Sequence, residues 1–144
     1  MVGTTINTID AKGRVSIPPK YREELGEKFF IACVPRTKDK KEIWLTAYSQ
    51  SRWQSFMKAL EEMPRGKQDA LSTITGNALE CEPDSQGRIL LTKTLRDAGR
   101  LNKTVALVGK GSTMQIWDSD MWADFNSDED VRQDAAAIFD EMVF

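Results

Sequence analysis

Asp10-Ala11-Lys12-Gly13-Arg14-Val15-Ser16-Ile17 and Asp84-Ser85-Gln86-Gly87-Arg88-Ile89-Leu90-Leu91 carry Asp, Gly and Arg at matching places, 74 residues apart each time. An apolar, mostly β-branched run follows each triplet. A turn repeated at one fixed offset marks a duplicated unit. Glycine three residues after the aspartate supplies a positive φ without steric cost, and the aspartate can accept hydrogen bonds from the backbone just ahead of it. Val15-Ser16-Ile17 and Ile89-Leu90-Leu91 are strand formers. Arg14 and Arg88 therefore stand at the mouth of a strand, on a stiff bend, where a guanidinium can reach outward. An ordinary hairpin turn with a solvated arginine explains either copy alone. Two copies at one offset weigh against that reading.

Working outward, Thr4 to Ile9 reads as a strand entering the first turn, and Pro18-Pro19 ends the strand that leaves it. Lys20 to Leu25 reads as a short helix stopped by Gly26. Phe29 to Val34 and Ile43 to Tyr48 read as a hairpin across a charged loop. Ser49 or Ser51 is the expected cap of a helix whose Trp53, Phe56, Met57, Leu60 and Met63 form an apolar stripe, read as core. Pro64-Arg65-Gly66 breaks it, and Gln68 to Thr75 reads as a second helix. The pattern then restarts: Asn77 to Glu82, the second turn, a short helix over Thr92 to Asp97, then Val105 to Val108 and Met114 to Trp117. Val105 to Val108 aligns with Ile31 to Val34 at offset 74. Met114 to Trp117 aligns with Leu45 to Tyr48 at offset 69, so five extra residues fall in the first copy's hairpin loop. Val131, Ala135, Ile138 and Met142 form a stripe on a last, acidic helix, with Ser127 as its expected cap.

One such unit has too few strands to bury its own apolar surface. The expected fold is mainly β with peripheral helices (α+β). Its two tandem repeats close on each other into one compact, pseudo-twofold barrel. Residues 5–50 form the first repeat, 51–76 a helical connector, 77–120 the second repeat and 121–144 the acidic C-terminal helix.

The chain of 144 residues has 40% hydrophobic and 29% charged residues, the composition of a globular protein without a bilayer-spanning run. No signal peptide is legible at Met1-Val2-Gly3-Thr4-Thr5-Ile6, so a cytoplasmic location and reduced Cys33 and Cys81 are expected. There is no histidine, which removes His-based triads and His metal ligands. No phosphate-cradling glycine loop appears either. The expectation is no enzyme, no cofactor and no metal. Net charge is −2, yet Asp118 to Phe144 holds nine acidic residues against Arg132 alone, leaving the first 117 residues with a surplus of six positive charges. That split permits a basic face on the body; it also fits a solvated tail with scattered body charge.

These residues resemble the bacterial MraZ family. The paired Asp-x-x-x-Arg motifs carry the resemblance, with Pro19-Lys20-Tyr21-Arg22, Asn77 to Glu82 and Val108-Gly109-Lys110-Gly111 through Ile116-Trp117 beside them. It covers nearly the whole chain and weakens after about Phe125. The resemblance implies a double-split barrel with swapped hairpins, related to AbrB-type regulators. It also implies a homo-oligomeric ring, double-stranded DNA as partner and association with the nucleoid. The implied function is transcriptional regulation through direct repeats upstream of the division and cell-wall gene cluster that contains the family's own gene. By the same resemblance Lys12, Arg14 and Arg88 become DNA-contacting residues, on turns shaped by Asp10, Gly13, Asp84 and Gly87. Lys20 is expected to add a phosphate contact. The second copy has Gln86 in place of Lys12 and Thr92-Lys93 in place of Pro18-Pro19, so it carries less charge in the turn. The competing reading is a ring-forming interaction scaffold without DNA specificity.

Overall fold

Each half spells strand, turn, strand, helix and hairpin, and the chain folds accordingly. The structure is a computed structural model describing residues 1–144. In the first half β1 (Thr4–Thr8) enters the turn and β2 (Arg14–Ser16) leaves it; α1 (Pro19–Leu25), β3 (Phe29–Cys33) and β4 (Leu45–Ser49) follow. Helices α2 (Gln50–Glu61) and α3 (Arg65–Thr75) connect to the second half. There β5 (Leu79–Cys81), β6 (Arg88–Leu90), α4 (Lys93–Ala98), β7 (Thr104–Lys110) and β8 (Thr113–Asp118) repeat the order, and α5 (Ser119–Ser127) and α6 (Glu129–Glu141) close the chain. No helix is long and apolar enough to cross a membrane.

The two halves start equivalent helices by different chemistry. Pro19 occupies the first helical position of α1, where a missing N–H goes unused. In α4 the Thr92 hydroxyl instead accepts a hydrogen bond from the Leu95 amide at 3.2 Å. Ser49 caps α2 by accepting from the Arg52 amide, as expected.

Six strands form one antiparallel sheet in the order β1-β7-β8-β4-β3-β5, and β2 pairs with β6 in a separate two-stranded ribbon. Exchanging the labels of the two halves reads that order backwards unchanged, which is a pseudo-twofold relation through the β4–β8 pair. Each half lends its first strand to the other: β1 lies along β7, with Asn7 opposite Val105, and β5 lies along β3, with Cys81 opposite Phe29. Strands β1 and β5 end the sheet without pairing to each other, so the ladders do not close into a continuous ring.

The strand register corrects one alignment. Asn7 and Cys81 are equivalent at offset 74, and their partners Phe29 and Val105 are 76 apart. Phe30 and Ala106, facing Tyr48 and Trp117, give the same offset. The Val105 to Val108 segment therefore slips by two residues against the 74-residue match, through two extra residues between α4 and β7. A shift of two preserves the inward-outward alternation, so periodicity could not expose it.

The main core joins both halves: Phe29, Ile31, Leu45, Leu107, Met114 and Ile116 are all fully buried. Strand β8 is buried along its whole length. Its outer face is covered by α5, where Trp117 stacks on Trp44 at a centroid distance of 4.6 Å and meets Trp122 and Phe125 at 5.2 and 4.9 Å. The Trp117 indole N–H donates to the Gln115 side-chain carbonyl, so the buried ring is satisfied.

The two helical stripes expected from periodicity stand apart from this core. Trp53 is buried, stacked on Phe30, but Phe56, Met57 and Leu60 are half-buried and Met63 is exposed. On α6 only Val131 is partly covered; Ile138 and Met142 face solvent. The α6 cap is Asp128, whose carboxylate accepts from the Val131 amide at 3.0 Å. Ser127 is already engaged, donating back to the Ala123 carbonyl within α5.

Candidate nucleic-acid interface

Both Asp-to-Arg turns are built alike, and every bond follows from the residue types. The Asp10 carboxylate accepts from the Lys12 and Arg14 amides at 2.9 and 2.8 Å through Oδ1 and from Arg14 Nε at 2.7 Å through Oδ2. The Asp84 carboxylate accepts from the Gln86 and Arg88 amides at 2.9 Å each and from Arg88 Nε at 3.0 Å. The backbone closes each loop: the Asp10 amide donates to the Arg14 carbonyl, and the Asp84 amide to the Arg88 carbonyl. Gly13 and Gly87 take φ of 88° and 76°, the left-handed conformation the turn requires. One aspartate thus both folds the bend and aims the arginine.

The turns feed one ribbon. Arg14 pairs with Leu90, Val15 with Ile89 and Ser16 with Arg88. The Ile17 amide donates to the Gly87 carbonyl and the Leu91 amide to the Gly13 carbonyl, both at 2.9 Å. Val15 and Ile89 point inward and are buried. Alternation then sets Arg14, Ser16, Arg88 and Leu90 together on the outer face. Arg14 and Arg88 are about one third exposed. Only Nε of each is engaged, so the Nη ends of both guanidiniums are free to donate.

Lys12 projects exposed from the first turn. Lys20 lies elsewhere: its ammonium sits 4.9 Å over the Tyr21 ring, beside Gly3 at the start of the chain. The structure thus brings Arg14 and Arg88 onto one face, hangs Lys12 beside it, and keeps Lys20 by the amino-terminal segment.

A second arginine pair escaped the sequence reading. Arg22 of α1 and Arg96 of α4 also stand 74 residues apart, an offset that would have revealed them. Each guanidinium packs under the glycine turn of the other half. A Cβ on Gly87 would meet Arg22 Nε at 2.8 Å, and one on Gly13 would meet Arg96 Cζ at 3.4 Å. Arg22 Nε donates to the Ile17 carbonyl at 2.9 Å, whereas buried Arg96 Nε has no acceptor. These guanidiniums pack directly against the glycine turn of the opposite half.

The backbone amides of Arg14 and Arg88, before any other influence, hold the Asp10 and Asp84 carboxyls below the usual carboxylate range. A depressed folded-state pKa contributes stability that is complete above the unfolded-state value and is lost as pH falls through the folded one. The stability gap between the native chain and an Asp10→Asn/Asp84→Asn variant should be constant near neutrality and narrow below about pH 4. Urea titrations at stepped pH check this; a gap that persists in acid would show that the carboxylate charges are not the cause.

The model of the MraZ protein family matches residues 1–73 and again residues 74–142. Relatives named "Transcriptional regulator MraZ" align over most of the chain. That of Thermoanaerobacter sp. (strain X514) is 38% identical over 134 residues, covering 91% of this chain and 90% of the relative. That of Carboxydothermus hydrogenoformans is 38% identical over 127 residues, covering 86% and 85%. That of Alkaliphilus oremlandii is 37% identical over 139 residues, covering 94% and 93%.

Proposed function

The chain belongs to the MraZ family of transcriptional regulators, and on that premise we propose that it acts by gripping double-stranded DNA with the β2–β6 ribbon. The single observation that carries the reading is the outer face of that ribbon, where Arg14 and Arg88 share one side with their Nη ends free. The major groove admits a two-stranded ribbon. An Nη pair can donate bidentately to guanine O6 and N7, or to phosphate. Lys12 adds a phosphate contact that sets register without reading sequence, while Lys20, held over the Tyr21 ring away from the ribbon, reaches at most flanking phosphate. Asp10, Gly13, Asp84 and Gly87 hold the geometry.

The DNA target in this reading is the set of direct repeats upstream of the chain's own division and cell-wall gene cluster, met in the cytoplasm at the nucleoid. One ribbon offers few contacts, so several ribbons on a homo-oligomeric ring raise the hold on repeated sites by effective concentration. The exposed Ile138 and Phe139 of α6, with Met142 just past its end, supply apolar surface that contact between copies can cover. Within each subunit, residues 5–50 and 77–120 are the two AbrB-like repeats of a swapped-hairpin barrel, 51–76 is the connector, and 121–144 is an acidic C-terminal segment that the structure divides at Asp128 into two helices, α5 and α6, instead of the single helix expected.

Footprinting on the DNA upstream of the chain's own gene tests the proposal. Protection should fall on the direct repeats, and affinity should drop steeply between 50 and 200 mM salt, by about tenfold or more. Absence of any protected segment would overturn it.

A further inference from the structure

The two ends of the ribbon are not the same, although the fold makes them equivalent. Ser16 and Leu90 occupy matching positions at offset 74, each directly across from an arginine: Ser16 faces Arg88, and Leu90 faces Arg14. Leu90 is 58% exposed. It is a large aliphatic side chain on an outer face otherwise made of two arginines and a serine. It contributes nothing to the core, which Val15 and Ile89 fill from the other side. Lone exposed leucines are ordinary on protein surfaces. This one lies on the functional face at the Arg14 end of the ribbon, about 5 Å from Arg14 across the ladder.

We propose that Leu90 is a specificity-determining residue that reads the C5-methyl group of a thymine beside the guanine or phosphate held by Arg14. The inference rests on the ribbon being the DNA-binding element. Thymine presents the one apolar group among the base edges of the major groove, and aliphatic side chains recognise it by contact. Arg14 fixes the ribbon's depth and register, and Leu90 then lies beside it at the same depth. The Ser16 end offers a hydroxyl, which donates or accepts and is indifferent to the methyl. The recognised sequence is therefore asymmetric: each ribbon has a direction along the duplex, as a head-to-tail array of direct repeats needs.

The test begins with selection of a randomised duplex library on the purified full-length protein. Each thymine of the enriched sequence is then replaced, one at a time, by deoxyuridine, which removes only the methyl. The native chain should lose about three- to fivefold in affinity at one thymine, the worth of one buried methyl group. Leu90→Ser should lose a similar factor on the unmodified duplex and show no further loss with deoxyuridine. Ser16→Leu should gain sensitivity to a methyl at the other end of the site. Full indifference of the native chain to deoxyuridine would overturn the role of Leu90 while leaving DNA binding intact. So would a Leu90→Ser variant that keeps the same methyl sensitivity, or one whose only change is a smaller assembly in light scattering. Failure to enrich any sequence would remove the DNA-binding premise itself, and the inference with it.

Discussion

Replacing Arg14 and Arg88 together by alanine is expected to weaken binding to repeat-bearing DNA by roughly a hundredfold or more, because each bidentate contact is worth about 1–3 kcal/mol. The fold should survive. Both side chains are partly exposed and lean on exposed aspartates, an arrangement worth little to stability. Two effects act in the same direction: the donors vanish, and Asp10 and Asp84 are left unpaired facing a polyanion. The double lysine variant separates charge from shape, since lysine keeps the cation and loses the planar fork. It should bind more tightly than the alanine variant and discriminate sequences less well. A gel-shift titration with circular dichroism on the same samples checks both parts. Unchanged affinity in the alanine variant would sink the role assigned to the ribbon.

Gly13→Ala with Gly87→Ala should cost about 3–5 kcal/mol of stability. A left-handed conformation costs a side-chain-bearing residue about 1–2 kcal/mol at each site, and crowding adds to it. The crowding differs between the two. At Gly13 the new Cβ would lie 3.1 Å from the Leu91 carbonyl oxygen, a backbone atom of the paired half that cannot swing aside. At Gly87 it would lie 2.8 Å from Arg22 Nε, which is held in place by its bond to the Ile17 carbonyl. Arg22→Ala should therefore relieve part of the Gly87→Ala cost, giving non-additive free energies, while Arg96→Ala should relieve little at Gly13. Urea unfolding of the single and double variants measures all of this. Additive values at Gly87 and Arg22 would disprove the contact.

The sequence disclosed the local elements because the chemistry that makes them is local. Asp10 and Gly13 shape a bend, Pro18-Pro19 ends a strand, and Gly26 ends a helix, which the structure starts one residue earlier than expected, at Pro19. The exchange of first strands was beyond its reach. Nothing in Thr4–Thr8 distinguishes β7 from β3 as a partner, and the choice is visible only in the completed sheet, where β1 lies along β7. The two-residue slip at Val105 was hidden for the opposite reason: it leaves each side chain on the same face of the sheet, and Val105 to Val108 are all buried. The stripes on α2 and α6 show the limit of helical periodicity, which marks an apolar face and says nothing of what covers it. Ser127 and Asp128 are both good cap residues, and only the geometry of α5 decides between them. At the site, Arg14 and Arg88 were legible from their motif, while their shared side depends on the pairing of Val15 with Ile89. Arg22 and Arg96 carried a legible signal in their spacing, though not the reach of each across to the other half.

Because every first strand is donated across the pseudo-twofold axis, the molecule is a dimer whose two partners happen to be written on one polypeptide. Two unlinked identical halves would always present the same face at both ends. The α2–α3 tether removes that constraint: it guarantees that a serine-bearing half meets a leucine-bearing half every time, and so lets the two ends drift apart in sequence without ever losing their mate.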